Sequence, residues 1–384
     1  MPMDAFAALR EGVRQLCQRF PASYWRDCDR DRAYPEAFLS AMTEAGYLAA
    51  LIPERYGGVG LGVMEASVIL EEVNRSGGNA AQCHAQMYTM GTLLRHGSEE
   101  QKQRWLPDIA AGRLRLQAFG VTEPGAGSDT THLETTAVWD GDHYRVTGQK
   151  IFISRVQHSD YLLLLARTTP IDQVTRRSDG LSVFMVDLRE ALQDGLFVQP
   201  IETMMNHETN ALFFDGVPVP RENLIGEEGQ GFSYILDGMN AERILIAGEC
   251  LGDGYFFIDR ATAYARERVV FNRPIGQNQG IQFPLARAYA HLRAADLMRT
   301  QAAERFDQGE PSGEEANLAK LLASEASWEA ANAAIQTHGG YGFAVDYDIE
   351  RKFRETRLFQ VAPVSTNLIL AYIGEHVLDL PRSY

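Results

Sequence analysis

A change of texture near residue 117 is the feature that most constrains how this chain can fold. Before it the sequence has the spacing of amphipathic helices, whereas from about Leu116 to Val219 β-branched and aromatic residues form short runs separated by turn residues. Asp140-Gly141, between two of these runs, is typical of a hairpin turn. After Pro218-Val-Pro220 the helical spacing returns. The pattern predicts an α+β fold in three parts: an N-terminal helical domain (1–117), a central antiparallel β-barrel or sandwich domain (118–220) and a C-terminal helical bundle (221–384).

The stretch from Phe119 to Asp129 lies at the first of these boundaries and reads Phe-Gly-Val-Thr-Glu-Pro-Gly-Ala-Gly-Ser-Asp. Gly125 and Gly127 allow a backbone to approach a ligand closely, and successive exposed N–H groups can bind a pyrophosphate. Pro-Gly and Ser-Asp are equally typical of a tight turn that leads into a strand. From these residues alone, both interpretations stay open.

Composition narrows the classes of protein that the chain can represent. A chain of 384 residues with 45% hydrophobic residues can bury a large core in two or three domains. A formal net charge of −15 argues against nucleic acid or an anionic membrane surface as a partner. The four cysteines lack paired spacing, which indicates a reducing compartment rather than disulfides or a metal site. With no signal peptide pattern and no apolar run near 18 residues, we expect a cytoplasmic protein.

Several short motifs, in a fixed order, carry a resemblance to a known family. Besides Thr-Glu-Pro-Gly-Ala-Gly-Ser-Asp, the matching positions are Gly97, Gln101-Lys102, Leu106-Pro107 and Gly112 upstream, and Arg268, Phe271, Pro274-Ile275, Gln279, Gln336, Gly339 and Gly340 downstream. Over nearly its whole length the chain resembles the acyl-CoA dehydrogenase family. The resemblance implies FAD as cofactor, an acyl-CoA substrate in fatty acid metabolism, and an electron-transfer flavoprotein as electron acceptor. It also implies a homo-oligomer, either a dimer or a tetramer.

The resemblance further implies which residues bind FAD. Phe152 would pack against the isoalloxazine and the Ser154 hydroxyl would bond near flavin N5, while Arg268 would reach the pyrophosphate from a neighbouring subunit. Arginine suits that place because its planar fork can bind a phosphate bidentately. The remaining cofactor-binding positions are Phe119, Val121, Thr122, Ser128, Phe271, Gln279, Gln336, Gly339, Gly340 and Thr366. From the residues alone, Phe152 could equally be a core residue and Arg268 a solvated helix end.

The position of the catalytic base is where this sequence departs from the most familiar family pattern. Family enzymes remove a proton from the carbon alpha to a thioester and transfer a hydride from the beta carbon to the flavin. This needs a carboxylate base and hydrogen-bond donors to the thioester oxygen. Aligned without gaps from Phe353-Arg354-Glu355, the usual glutamate position is Pro363. Proline supplies neither the carboxylate nor the backbone N–H that the family uses on the thioester oxygen.

A minority of the family, including enzymes for branched acyl chains, carries the base directly before the arginine of a Glu-Arg pair. Here that pair is Glu242-Arg243, so Glu242 is the candidate base; the alternative is a surface residue of a helix. The expected substrate contacts are Ser128, Asn240, Arg243 and Val364, the last through its N–H. The acyl pocket is expected to include His84, Met87, Met90, Ile246 and Ala362.

Two other functions stay open, the first because of Pro363 and the second if Glu242 is also only structural. One is a different reaction on the same scaffold, such as a CoA-ester lyase or an oxygen-using flavin enzyme. The other is a non-catalytic protein that binds flavin or acyl-CoA.

Overall fold

The computed structural model describes residues 6–382. They form two compact units. The helical unit comprises the chain up to Phe38, Leu61–His84 and the chain from Asn240; the β-containing unit comprises Leu39–Gly60 and Ala85–Met239. The predicted fold class, helical regions before and after a central β region, is confirmed. The domain boundaries at 117/118 and 220/221 stay a prediction.

The helices follow the periodicity of the sequence. Their bounds are α1 (Ala7–Cys17), α2 (Ala22–Arg30), α3 (Glu36–Glu44), α4 (Val63–Arg75), α5 (Ala81–His96), α6 (Glu99–Ala110), α7 (Leu188–Ala191), α8 (Gly231–Glu267), α9 (Gln279–Asp307), α10 (Gly313–His338), α11 (Ile349–Arg357) and α12 (Thr366–Tyr372). Ser98 begins α6 with a capping box: its hydroxyl accepts from the Gln101 N–H at 3.2 Å, and the Gln101 side chain accepts from the Ser98 N–H at 2.9 Å.

The strands form one eight-stranded sheet and a separate two-stranded ribbon. Their bounds are β1 (Ala118–Gly120), β2 (Thr136–Trp139), β3 (His143–Ser154), β4 (Tyr161–Arg167), β5 (Leu181–Asp187), β6 (Leu196–Pro200), β7 (Thr209–Pro220), β8 (Leu224–Ile225), β9 (Val269–Val270) and β10 (Arg273–Pro274). The large sheet has the order β6-β7-β3-β2-β4-β5-β8, with β1 beside β4. Most neighbours are antiparallel as predicted, but β1 and β2 pair with β4 in parallel, so the sheet is mixed.

Strand β4 shows why the central run is apolar without interruption. Leu163 and Leu165 lie in one hydrophobic cluster, which also contains Trp105 of α6, whereas Leu162 and Leu164 lie in the other. Successive side chains of a strand point to opposite faces, and both faces of β4 are covered. Alternation of polar and apolar residues is therefore absent from this strand.

In the helical unit, α8 packs closely against α4 through two glycines. A Cβ at Gly248 would lie 2.4 Å from the Ser67 carbonyl oxygen, and one at Gly252 would lie 2.2 Å from that of Glu71. Both distances are too short for any side chain. The two glycines, four residues apart, therefore set the separation of the two helices.

Membrane-spanning helices and metal-binding side-chain groups are both absent from the described residues. No helix within residues 6–382 has both the length and the apolar character needed to cross a membrane. The same part of the chain holds no group of three or more His, Cys, Asp or Glu side chains that could bind a metal ion.

Candidate active site

The stretch from Phe119 to Asp129 folds around a buried ion pair in the β-containing unit. Lys150 of β3 is fully buried, and its Nζ lies 2.8 Å from a Glu123 carboxylate oxygen and 2.9 Å from the Val121 carbonyl oxygen. The same carboxylate accepts from the Glu134 N–H at 2.7 Å and the Thr135 N–H at 3.0 Å. Burial would raise the pKa of Glu123, but Lys150 outweighs it and the pKa is lowered. Burial lowers the pKa of Lys150 to about 8.

The glycine-rich part of this stretch is a tight turn that leaves N–H groups exposed. Glu123 and Ala126 exchange two backbone hydrogen bonds of 3.1 Å, as the turn interpretation requires. A Cβ at Gly125 or Gly127 would meet nothing within 4 Å. In the part of the chain that the structure describes, no acceptor binds the N–H groups of Gly125, Gly127 or Ser128. The turn and the anion-binding interpretations are therefore compatible.

Phe152 is exposed where a core residue would be buried. It lies at an irregularity of the β3–β7 pairing, with 61% of its surface exposed and a φ of 59°. A bulky residue in the left-handed region is strained, and such strain concentrates at functional sites. The alternative that Phe152 only fills the core is wrong. Nearby, the Ser154 hydroxyl accepts from the Asn206 side chain at 2.7 Å.

Three other expected flavin residues of this unit, Phe119, Val121 and Thr122, are buried or half-buried, whereas Ser128 is exposed. Phe119 packs edge to face on Tyr88 with ring centroids 5.5 Å apart, and the Val121 side chain is buried in the core. The Thr122 carbonyl accepts from the Ile151 N–H at 2.9 Å. These contacts hold the chain leading into the turn against the sheet.

In the helical unit, one contact links two of the segments that carry the expected pyrophosphate residues. The Arg268 guanidinium lies 5.9 Å from the Tyr341 ring centroid, which links the turn after α8 to the segment after α10. Phe271 is 93% exposed with a φ of 52°. The other members are also exposed: Gln279, Gln336, Gly339 and Gly340. Residues 339–343, a loop by prediction, form a short 3-10 helix.

Thr366 uses its hydroxyl locally. The hydroxyl donates to the Gln360 carbonyl at 3.3 Å, while the Ser365 hydroxyl caps α12 by accepting from the Leu368 N–H at 3.3 Å. A cavity of about 380 Å³ opens beside these residues and is lined by Glu325, Arg357, Gln360, Val361, Ser365, Thr366 and Asn367. Its lining includes both charge signs, Glu325 and Arg357.

Glu242 on α8 is buried, with 3% of its surface exposed, so the surface-residue alternative is wrong. No described residue donates a hydrogen bond to its carboxylate, although four charged or titratable groups act on it: His84, Arg243, Glu249 and Lys320. Burial is the largest influence and raises the pKa of Glu242, while His84, Arg243 and Lys320 oppose the shift. A buried carboxylate with a pKa raised by burial marks a candidate functional residue.

Two polar pairs accompany Glu242 within the helical unit. His84 Nδ1 lies 2.9 Å from a Glu249 carboxylate oxygen, and both side chains are buried. Arg243 donates to the Asn240 side chain at 2.9 Å, and burial lowers the Arg243 pKa. The other residues expected around the acyl pocket are buried or half-buried: Met87, Met90, Ile246 and Ala362.

Lys320 is a buried residue near this site that the sequence analysis missed. It lies on α10, is fully buried, and its Nζ donates to the Val364 carbonyl at 2.6 Å. Burial lowers its pKa to about 8. No described residue accepts from the Val364 N–H. A signal was available, since Lys320 interrupts a run of small and apolar residues.

Comparison with known proteins decides the family. Three family models match the chain: the acyl-CoA dehydrogenase N-terminal domain over residues 4–113, the middle domain over 118–217 and the C-terminal domain over 229–378. The chain belongs to the acyl-CoA dehydrogenase family. The predicted family and enzyme class, oxidoreductases that act on CH–CH groups, are therefore confirmed.

Individual relatives match over most of their length. Acyl-CoA dehydrogenase FadE12 of Mycobacterium tuberculosis is 34% identical over 382 residues, which is 98% of this chain and 97% of the relative. The caffeyl-CoA reductase-Etf complex subunit CarC of Acetobacterium woodii is 34% identical over 333 residues, 85% of this chain and 86% of the relative. Among solved structures, a glutaryl-coenzyme A dehydrogenase in complex with glutaryl-CoA has a TM-score of 0.92 at 29% identity, covering 100% of this chain and 97% of that chain.

Proposed function

We propose that this protein is an FAD-dependent acyl-CoA dehydrogenase that oxidises an acyl-CoA thioester to a 2,3-enoyl-CoA, with Glu242 as the base. The observation that carries the proposal is the Glu242 carboxylate, which is buried, has no hydrogen bond from a described residue and is influenced by Arg243 and Lys320. It stands directly before Arg243, as in the minority pattern of the family. A base at Glu242 explains how the chain can dispense with a carboxylate at Pro363.

The residues of the β-containing unit fit a flavin. Phe152 presents an exposed ring from a strained backbone, and the turn at residues 125–128 presents N–H groups suited to phosphate oxygens. FAD, when bound, would supply the acceptor for the hydride from the beta carbon. Arg268, with Gln279, Gln336, Gly339 and Gly340, would bind the pyrophosphate of a neighbouring subunit's FAD. We therefore infer a homo-oligomer, a dimer or a tetramer.

The chain's own residues would perform the proton transfer and hold the substrate. Glu242 takes the alpha proton as the C–H bond breaks, and its raised pKa makes it a stronger base than an exposed carboxylate. Arg243 and Asn240, already joined by a hydrogen bond, would contact the CoA side together with Ser128. The Val364 N–H would donate to the thioester oxygen, where negative charge develops. Pro363 cannot supply a second N–H.

An electron-transfer flavoprotein is the proposed electron acceptor, since CarC is named as a subunit of a reductase-Etf complex. That name also supports a second candidate, reduction of a 2,3-enoyl thioester by the same site. In that direction Glu242 would return a proton to the alpha carbon, and its raised pKa suits a donor equally well. The lyase and oxidase alternatives are not favoured.

Anaerobic flavin bleaching with a panel of short, branched, long and aryl CoA esters tests the proposal. We expect at least one ester to bleach the flavin and Glu242→Gln to slow bleaching by about 10²–10⁴-fold. The control is Asp259→Asn, an exposed residue of the same helix, which should leave the rate unchanged.

Three outcomes would contradict the proposal. A Glu242→Gln enzyme with the normal rate refutes the base. Failure of all esters, together with failure of their enoyl forms to oxidise the reduced flavin, refutes the reaction. Product formed without an electron acceptor, or peroxide released in air, supports the alternatives instead.

A further inference from the structure

Lys320 is a buried cation whose closest partner is neutral. Its ammonium group donates to the Val364 carbonyl at 2.6 Å, and the side chain has no exposed surface. In the described part of the chain no carboxylate lies within ion-pair distance of its Nζ, in contrast to the other buried lysines, Lys150 with Glu123 and Lys352 with Asp253. A buried ammonium without a carboxylate contact is costly, so a specific role would explain it.

The groups that face Lys320 all belong to α8. They are Glu242, Arg243 and Cys250, and of these only Glu242 is a carboxylate. Glu242 in turn faces His84 from α5, Arg243 and Glu249 from its own helix, and Lys320 from α10. His84 contacts Glu249 at 2.9 Å, and Arg243 is bound to Asn240. Within the described residues, Lys320 thus forms its close contact with a backbone carbonyl rather than with a side chain.

We propose that Lys320 is a positioning residue for the reaction: its ammonium group binds the Val364 carbonyl and so holds the residue whose N–H is the proposed donor, and its charge acts on Glu242. The inference rests on the proposed function, because Lys320 would act on two groups that take part in the proposed reaction. The first is Val364, whose N–H would donate to the thioester oxygen, and the second is Glu242, the proposed base. Lys320 contacts neither substrate nor cofactor in this role.

The charge of Lys320 has a defined effect on pH dependence. Burial raises the pKa of Glu242, and Lys320 with His84 and Arg243 lowers it. Removing the lysine charge must therefore raise the pKa of Glu242 further, so that less of it is ionised at a given acidic pH. A neighbouring opposite charge typically shifts a carboxyl pKa by about one unit or more. This effect on the Glu242 pKa is expected below pH 8, where Lys320 keeps its proton.

The test compares the pH dependence of anaerobic flavin reduction in three variants of the holoenzyme. Lys320→Met should move the acid midpoint up by about one unit. It should also lower the plateau rate about tenfold or more with little change in KM, because a transition-state donor is misplaced. Lys320→Arg keeps the charge and should keep the midpoint. Ser324→Ala, one turn further along α10 and also buried, should keep both midpoint and plateau.

A readout independent of turnover is the protonation of Glu242 itself. Infrared difference titration should show the Glu242 carboxylic acid band, identified by its loss in Glu242→Gln, at higher pH in Lys320→Met than in the wild type. Equal midpoints in the two proteins overturn the inference. If Lys320→Met does not fold, Lys320→Gln against Lys320→Arg decides: equal midpoints for these two overturn it as well.

Failure of the inference is distinguishable from failure of the proposed function. A Glu242→Gln enzyme that reduces its flavin normally refutes the base, and the role of Lys320 with it. A Glu242→Gln enzyme without activity, combined with an unshifted midpoint in Lys320→Met, refutes Lys320 alone.

Discussion

The buried pair of Glu123 and Lys150 allows one stability prediction to be worked out in detail. Glu123→Gln keeps the shape of the side chain but leaves the Lys150 ammonium buried beside a neutral amide. It also replaces one of the oxygens that accept from the Glu134 and Thr135 N–H groups. Removing one partner of a buried pair typically costs about 3–5 kcal/mol. That is a large part of the stability of an average domain, about 5–15 kcal/mol.

The pH dependence of this loss has a definite sign. In the wild type the Lys150 pKa is about 8, so at pH 6–7 the lysine is protonated in both the folded and the unfolded chain. Without Glu123 the folded-state pKa falls below 8, because the carboxylate is what opposes burial. The folded variant then releases its proton at a pH where the unfolded chain, with a pKa near 10.5, keeps it. The wild type also gains a little stability as its own Lys150 begins to deprotonate, so the stability of the variant relative to the wild type should rise by up to about 1 kcal/mol between pH 7 and 8.

Urea unfolding of both proteins at pH 6, 7 and 8 measures this difference, and the other titrating groups cancel in the comparison. The double variant Glu123→Gln with Lys150→Met removes the orphaned charge and should recover much of the loss. Flavin content should follow stability, since the pair holds the turn at residues 121–128. A single variant that loses less than about 1 kcal/mol, or a difference that does not change with pH, refutes the reasoning.

Two further predictions concern backbone positions. Gly252→Ala should cost about 1–3 kcal/mol in urea unfolding because its Cβ would lie 2.2 Å from the Glu71 carbonyl oxygen. Gly238→Ala on the same helix, with Thr92 at 3.6 Å as its nearest neighbour, should instead stabilise by about 0.4–1 kcal/mol; equal effects would contradict the packing argument. Phe152→Gly should maintain or raise the stability of the flavin-free protein, because glycine accepts a φ of 59°, while flavin affinity falls in a binding titration. A loss of stability with unchanged affinity would show that Phe152 is structural.

Features set by local physics could be predicted from the sequence. The Asp140-Gly141 turn is one, since Asp140 accepts from the His143 N–H at 2.8 Å and Gly141 has a φ of 109°. The Ser98 cap is another, because the Ser98 hydroxyl accepts from the Gln101 backbone N–H while the Gln101 side chain accepts from the Ser98 backbone N–H, within one helical turn. The apolar run of β4 was placed correctly as a strand because it is too short for a buried helix and is bounded by turn residues.

Features that join distant parts of the chain could not be predicted from the sequence. The parallel pairing of β1 with β4 needs a long crossover, here through β2 and β3, and strand propensity carries no information on direction. Burial of Glu242 could not be read from the helix around it, because glutamate next to arginine has the pattern of a solvated face. The pairing of His84 with Glu249 requires knowing how α5 meets α8.

Pro363 and Glu242 are best understood together through Lys320. The position that carries a glutamate in most of the family is followed by Val364, whose carbonyl accepts from Lys320. The same lysine acts on Glu242, although Glu242 and Val364 belong to distant parts of the chain. Lys320→Met should therefore slow the reaction although Lys320 contacts neither substrate nor cofactor in the proposed role.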